Sequence, residues 1–170
     1  MCPDFIHLVT FGVLATDVTN SATQQTIQDR FERLINGPSP NDLEKTQSVV
    51  EQILLMADVA HCSQSYENFL KWNECFFHEC LKNWKSGNGF NPREGWYQGE
   101  IGFLEGYILP LTERVSDLLP LCDLSSGTRK ILGLWKERGE EWTKDLVEAS
   151  IRAEMVEEEE YEAFLAFLAA

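Results

Sequence analysis

A single carboxylate at the end of an apolar stretch is the first group in this sequence that could do chemistry. Residues 54–61 read Leu-Leu-Met-Ala-Asp-Val-Ala-His, and the run before Asp58 is typical of a buried helix. A buried aspartate is uncommon unless it is paired or bound to a metal ion. These residues alone nevertheless favour a simpler role, in which Asp58 begins the following turn and caps the next helix. The two alternatives are therefore a structural cap and a metal ligand.

A second group of chemically capable residues consists of Cys75, His78 and Cys80. Cys75 and His78 are three positions apart and share one face of a helix. Cys80 falls on a different face, and no fourth ligand follows at zinc-finger spacing, so we predict no zinc site here. The chain has five cysteines and no Cys-x-x-Cys pair. We expect reduced thiols, as in a cytosolic protein.

Four sequence blocks give Asp58 a context. They are Val-Leu-Ala-Thr-Asp at 13–17, Met-Ala-Asp-Val-Ala-His at 56–61, Lys-Trp and Phe-Phe-His-Glu within 71–79, and Gly-Trp-Tyr-Gln-Gly-Glu-Ile-Gly-Phe at 95–103 followed by Tyr-Ile-Leu-Pro. In this order the blocks resemble the C-terminal half of the catalytic domain of class I 3′,5′-cyclic-nucleotide phosphodiesterases. The match is closest between about residues 53 and 111 and stops near residue 149.

The resemblance implies a set of site residues. Asp58 matches the last carboxylate ligand of the family's catalytic zinc. Phe76 and Phe103 match the two sides of a hydrophobic clamp around the base of the cyclic nucleotide, cAMP or cGMP, and Phe77 matches a residue that lines the pocket. An aromatic face that stacks on a purine binds adenine and guanine alike.

Two further positions bear on which nucleotide is bound. Glu100 stands where the family usually carries a glutamine that reads the purine. A glutamine amide both donates and accepts hydrogen bonds, whereas an ionised carboxylate only accepts and also repels a nearby phosphate. We therefore expect altered selectivity or weak binding. His61 matches a position that touches the base-binding region, where an imidazole is compatible with both nucleotides; an ordinary polar residue at a helix end is the alternative.

The reaction that the resemblance implies is metal-assisted hydrolysis of a cyclic phosphodiester, with zinc and usually magnesium as cofactors. The family takes its other metal ligands and its acid from two upstream blocks, His-Asn-x-x-His and His-Asp-x-x-His-x-Gly-x-x-Asn. The histidines of this sequence, His7, His61 and His78, lie in neither block. One carboxylate cannot hold a catalytic zinc, which normally has three protein ligands. We predict that this chain keeps most of the nucleotide pocket, has no catalytic residue and does not retain the metals alone.

Three interpretations follow for the protein. In the first, which we prefer, the sequence is a truncated product or incomplete gene model of a phosphodiesterase. In the second, it is a non-catalytic nucleotide-binding or protein-interaction module, whose exposed N-terminal helix and acidic C-terminal tail contact a partner. The third is a helical scaffold without a ligand.

Hydrophobic periodicity predicts an all-α bundle of about six or seven helices, without strands. We place a partial phosphodiesterase domain at 1–153 and an acidic tail with an apolar end at 154–170. The helix that leads to Asp58 is predicted to face inward, and the last long helix is predicted to begin at Thr128. The predicted inward residues are Val49, Val50, Ile53, Leu54 and Ala57.

Charge and hydropathy limit the partners. The 170 residues carry a formal charge of −14, which argues against nucleic acid or an anionic membrane surface because both would be repelled. The longest apolar stretch, near the start of the chain, is too short to cross a bilayer. We expect a cytoplasmic protein, although a longer form could be attached to a membrane.

Overall fold

The computed structural model describes residues 9–10, 12–16, 21–37, 41–119 and 123–168. This part of the chain is all-helical and contains no strand, which confirms the predicted fold class. Six α-helices make up most of it, together with a short 3₁₀ turn, Ala60–Ser63, and a π-helical turn, Leu104–Ile108. The helices are α1 (Ser21–Asn36), α2 (Asp42–Asp58), α3 (Tyr66–Lys85), α4 (Trp96–Phe103), α5 (Leu109–Leu118) and α6 (Leu124–Leu168).

Local chemistry explains where several helices begin. The side chains of Asn41 and Ser65 accept hydrogen bonds from backbone N–H groups in the first turns of α2 and α3. Gly95 precedes α4 with φ at 76°, a left-handed conformation that glycine adopts without a steric penalty. Pro110 lies in the first turn of α5, directly after the π-helical turn, where its missing N–H can be accommodated.

The larger of two buried clusters is rich in aromatic side chains and lies between α3, α4 and α6. We call it the aromatic core. Trp135 is completely buried and contacts the rings of Phe69, Tyr97 and Trp142. Its indole N–H donates to the carbonyl oxygen of Tyr97 over 3.1 Å. The cluster consists of Cys62, Phe69, Phe77, Leu81, Trp96, Leu104, Ile108, Ile131, Leu132, Trp135 and Leu146.

The smaller cluster, which we call the aliphatic core, joins the N-terminal helices to α5. It consists of Ala15, Ile27, Leu55, Met56, Leu111 and Val115. In this region α2 packs against both α1 and α5. The smaller cluster therefore connects the N-terminal helices to the segment that carries Phe103.

The orientation of α2 differs from the prediction. The helix buries a mostly polar face that includes Gln47, Ser48, Glu51 and Gln52. The prediction was wrong for Ile53, which is 41% exposed, and for Ala57, whereas Val49, Val50 and Leu54 are half-buried. The physical reason is a set of polar partners on the neighbouring helices, since Arg30 pairs with Glu51 and Arg114 donates to Gln52.

Helix α6 has 45 residues and begins four residues earlier than predicted, at Leu124. Its first turn presses on the 3₁₀ turn after α2. The hydroxyl of Thr128 donates to the carbonyl oxygen of Cys62 over 3.0 Å and lies 2.7 Å from the hydroxyl of Ser63. The approach is close because Gly127 has no side chain; a Cβ atom there would lie 2.3 Å from the Ser63 carbonyl oxygen.

Ion pairs attach the C-terminal part of α6 to the rest of the molecule. Glu154 forms ion pairs with Lys85 at 2.5 Å and with Arg93 at 2.8 Å. The helix continues without interruption across residues 153 and 154, where the sequence placed the start of the acidic tail. Among the described residues, every helix is too short or too polar to cross a membrane.

Candidate ligand-binding site

A cleft of about 670 Å³ opens between α1, the end of α2 and the segment from Phe103 to Arg114. This volume lies in the range of pockets that hold small organic ligands. Its walls combine side-chain amides of α1 with apolar and aromatic groups from the other elements. The lining residues are Ser21, Gln24, Gln25, Ile27, Gln28, Leu55, Phe103, Gly106, Tyr107, Pro110 and Arg114.

Phe103 is the one predicted site residue that lines this cleft. Its ring is 37% exposed and stacks on the ring of Tyr107, with 5.5 Å between the centroids and 21° between the planes. Tyr107 is half-buried, and its ring packs against one face of the exposed Phe103 ring. The pair offers a flat apolar surface on which a planar ligand can stack.

Asp58 and His61 lie beside this wall, at the junction of α2 and the 3₁₀ turn. Asp58 is the last residue of α2 and is exposed to solvent. It is close enough to interact electrostatically with His61 and with Tyr107. His61 stacks on Trp72 at 5.5 Å, and burial lowers the pKa of its imidazole against the opposing effect of Asp58. The imidazole is therefore mostly neutral at pH 7.

Glu100 lies one turn before Phe103 and points into the boundary between α3 and α4. It is only 8% exposed, and burial raises the pKa of its carboxyl to about 7, although a hydrogen bond with Asn73 favours the ionised form. The carbonyl oxygen of the same Asn73 side chain accepts a hydrogen bond of 2.8 Å from the indole of Trp96. Glu100 is thus part of a buried polar network and is about half protonated near neutral pH.

Phe76 and Phe77 both contact Trp96 but differ in exposure. Phe76 is 52% exposed and lies 5.6 Å from the Trp96 ring. Phe77 is completely buried in the aromatic core and meets the same ring edge-on at 5.2 Å. Neither lines the cleft; the structure brings Phe76 and Phe77 together at Trp96 and pairs Phe103 with Tyr107.

Asp58 is the metal ligand that the resemblance implies, and its described neighbours give it no complete ligand set. No group of three or more His, Cys, Asp or Glu side chains comes together in the described ranges. Zinc needs at least three protein ligands in a catalytic site, and Asp58 provides one. Burial and the charge of Glu100 raise the pKa of the Cys62 thiol to about 12, so this thiol is protonated and a poor ligand.

Three residues of the site were missed in the sequence. Asn73 sits four residues from both Phe69 and Phe77, so one polar residue within a buried aromatic stripe was an available signal. Tyr107 begins the Tyr-Ile-Leu-Pro stretch of the fourth sequence block, but no role in the site was predicted for it. Arg114 had no local signal, because its partner Gln52 is 62 residues away.

Comparison with known proteins gives no relative from which a function could be transferred. No protein-family model, no curated protein and no solved structure matches the chain at a significant level. The phosphodiesterase resemblance therefore stays a prediction that rests on the four sequence blocks.

Proposed function

We propose that this chain binds cyclic nucleotides through a pocket related to that of the class I phosphodiesterases. The observation that carries the proposal is the exposed ring of Phe103, stacked on Tyr107 at the wall of a 670 Å³ cleft, one helical turn after a buried carboxyl. A purine stacked on such a ring gains about 1–3 kcal/mol, whichever base it carries.

The protonation of Glu100 bears on binding through its charge. Glu100 does not line the cleft, so it is not placed to hydrogen-bond a base that stacks on Phe103. With its pKa raised to about 7 by burial, it is uncharged in a large fraction of molecules at neutral pH. Because an ionised carboxylate one turn before Phe103 repels the phosphate of a bound nucleotide, we expect binding of cAMP and cGMP that weakens as the pH rises through 7.

The proposal covers binding, and it treats hydrolysis as the activity of the family. The His-containing blocks that would hold zinc and magnesium are absent from this sequence. We expect no hydrolysis of cAMP or cGMP above background when the purified chain is assayed with both metals. Turnover would show that the chain makes a metal centre that the sequence did not reveal.

Calorimetric titration of the chain with cAMP and cGMP tests the proposal. We expect Kd values in the micromolar range, because one stacking surface and a few polar contacts give modest affinity. Replacing Phe103 by alanine should weaken binding by about 5- to 100-fold. Phe90→Ala is the matched control, since Phe90 is also exposed, at 58%, but lies outside the cleft. No binding by the folded chain, or equal losses in the two variants, would contradict the proposal.

A second candidate function is protein interaction, and the orientation of α2 favours it. Ile53 and Leu43 are 41% and 40% exposed, and Val13 and Leu14 add exposed apolar surface before α1. Exposed apolar side chains of this kind are candidates for an interface. Light scattering after gel filtration would detect self-association through this surface, which Ile53→Asp should abolish. A monomer that binds cyclic nucleotides would favour the first proposal alone.

A further inference from the structure

The charge of the cleft is opposite to that of the chain. The sequence has 28 acidic and 14 basic residues, yet Arg114 is the sole charged residue among those that line the cleft. Within the described residues no carboxylate belongs to the lining. Asp58 lies outside this lining, although its charge reaches Tyr107. Among the described lining residues the charge is thus positive, and the low-dielectric walls strengthen the field of Arg114.

Arg114 lacks the partner that a half-buried cation normally has. Its Nε donates to the side-chain oxygen of Gln52 over 3.0 Å. Across the described part of the chain no carboxylate lies within ion-pair distance of its guanidinium. Burial lowers the pKa of Arg114, yet a guanidinium stays charged at any physiological pH. Because charges removed from water are usually paired, an external anion is the expected counterpart.

Two buried donors beside Arg114 also lack partners. The Tyr107 hydroxyl and the side-chain NH₂ of Gln52 are inaccessible to water and make no hydrogen bond within the described structure. Tyr107 is near enough to Arg114 for each to affect the pKa of the other. Leaving such groups unsatisfied costs about 1–3 kcal/mol each, which favours any rearrangement that brings an acceptor to them.

The charge of the neighbouring glutamate is already compensated. Glu51 precedes Gln52 in α2 and is 1% exposed. It pairs with Arg30 and accepts a hydrogen bond of 3.0 Å from Gln47. Arg30 on α1 therefore compensates the charge of Glu51, and Arg114 provides the positive charge at the wall of the cleft.

From this arrangement we infer an anion-binding subsite, formed by Arg114, Tyr107 and Gln52, that takes the phosphate of a nucleotide whose base stacks on Phe103. The choice of a nucleotide rests on the proposed function; the anion subsite stands on the contacts above. Arg114 follows Tyr107 by seven residues, about two helical turns, and long side chains lean toward the N-terminus of their helix. The guanidinium thus reaches back toward the stacked pair of Phe103 and Tyr107.

Inorganic phosphate is the first probe, because it tests the subsite without any nucleotide. We expect phosphate to raise the Tm of the wild-type chain, above the effect of chloride at equal ionic strength, and Arg114→Gln to lose this rise. Arg129→Gln is the matched control: it removes the same charge from an exposed position paired with Glu113. An equal rise in the wild type and Arg114→Gln, or no rise in the wild type, would overturn the subsite.

The second probe compares cAMP with adenosine, which lacks the phosphate. Arg114→Gln should weaken cAMP binding by about 10- to 100-fold and leave adenosine binding within about twofold. If Arg114→Gln does not fold, Tyr107→Phe replaces it, since it removes one hydroxyl and should weaken cAMP binding about 2- to 10-fold. Loss of both ligands in parallel, or of neither, would contradict the subsite.

The two probes separate the two proposals. If phosphate stabilises the wild type but not Arg114→Gln, and neither cAMP nor adenosine binds, the anion subsite stands and the nucleotide proposal fails. If cAMP binds and the Arg114 variant binds it equally well, nucleotide binding stands and the anion subsite fails.

Discussion

The two buried clusters of this protein differ in the side chains that pack between their helices. In the aromatic core, large rings interlock around Trp135, and the indole groups of Trp96 and Trp135 each find a hydrogen-bond acceptor. In the aliphatic core, smaller side chains leave room for a cleft, and α2 turns a polar face inward. Buried polar atoms without partners, in Ser48, Glu51 and Gln52, occur on that face.

The difference indicates which region serves stability and which serves binding. A dense aromatic cluster whose two buried indole N–H groups have acceptors is rigid and costly to disturb, although the Tyr66 hydroxyl beside it has no partner within the described structure. Beside the cleft, the described residues give Arg114 no carboxylate partner and leave buried donors without acceptors, so a ligand that pairs with them would stabilise this region. The segment from Glu100 to Arg114 joins the two, because it begins in the aromatic core and ends against α2.

The largest expected effect distinguishes the two cores directly. Phe69→Ala removes a completely buried ring from the aromatic core and should lower the free energy of unfolding by about 3–5 kcal/mol. Leu55→Ala should cost about 2 kcal/mol, because Leu55 lines the cleft and water can enter the space that it leaves. Urea denaturation followed by circular dichroism measures both, and equal losses would contradict the proposed division.

Glu100→Gln should give the next largest effect, and it depends on pH. The folded chain raises the pKa of Glu100 from 4.5 to about 7, so it binds this proton more tightly than the unfolded chain does. The corresponding stability is complete below pH 4.5 and is lost as the pH rises to 7. The variant should therefore be more stable than the wild type by about 1–3 kcal/mol at pH 8 and nearly equal at pH 4.

The difference between the two proteins isolates Glu100, since His61 titrates in both. Glu74→Gln, at an exposed position of α3, is the control and should give no such difference. The same pair tests the proposed function: cAMP affinity should fall with rising pH in the wild type and stay level in Glu100→Gln. A pH-independent gain in stability would show that the carboxyl is ionised throughout.

Gly127→Ala tests the contact between α6 and the 3₁₀ turn that holds His61. The added Cβ would lie 2.3 Å from a backbone oxygen, so the helix or the turn must move, at a cost of about 1–3 kcal/mol. Gly133→Ala is matched to it, because Gly133 lies in the same helix with open space around it. The control should be stabilised by about 0.5–1 kcal/mol. Thermal unfolding gives the Tm of both variants. A higher Tm for Gly127→Ala than for the wild type would refute the close contact.

The smallest effects compare single hydroxyl groups. Thr128→Val removes a hydroxyl that bonds Cys62 and Ser63, and should cost about 1–2 kcal/mol. Ser48→Ala removes a buried hydroxyl that has no partner among the described residues, and should change stability by less than about 0.5 kcal/mol or raise it slightly. Denaturation in urea measures the loss of stability in both variants. A larger loss for Ser48→Ala than for Thr128→Val would mean that the Ser48 hydroxyl makes a hydrogen bond that the structure does not show.

The sequence predicted the parts of this fold that depend on local signals. Of the two serines that could begin α3, Ser63 and Ser65, the helix begins after Ser65. Its apolar spacing predicted the burial of Phe69, Phe77 and Leu81 correctly, but it also predicted core positions for residues that are exposed, namely Trp72, Cys75 and Phe76. The orientation of α2 could not be predicted from the sequence, because its polar inner face is stabilised by Arg30 and Arg114 on other helices. The site divides in the same way: the exposed ring of Phe103 agrees with a stacking role, whereas the protonation of Glu100 depends on burial and on Asn73 from another helix.

The placement of the tryptophans has a practical consequence for all these measurements. The five indole rings belong to α3, α4 and α6, and none lies on α1, α2 or α5. Intrinsic fluorescence therefore reports on one half of the molecule, whereas far-ultraviolet circular dichroism reports on both. Unfolding curves that separate between the two signals would reveal the N-terminal helices melting first, without a label or a single substitution.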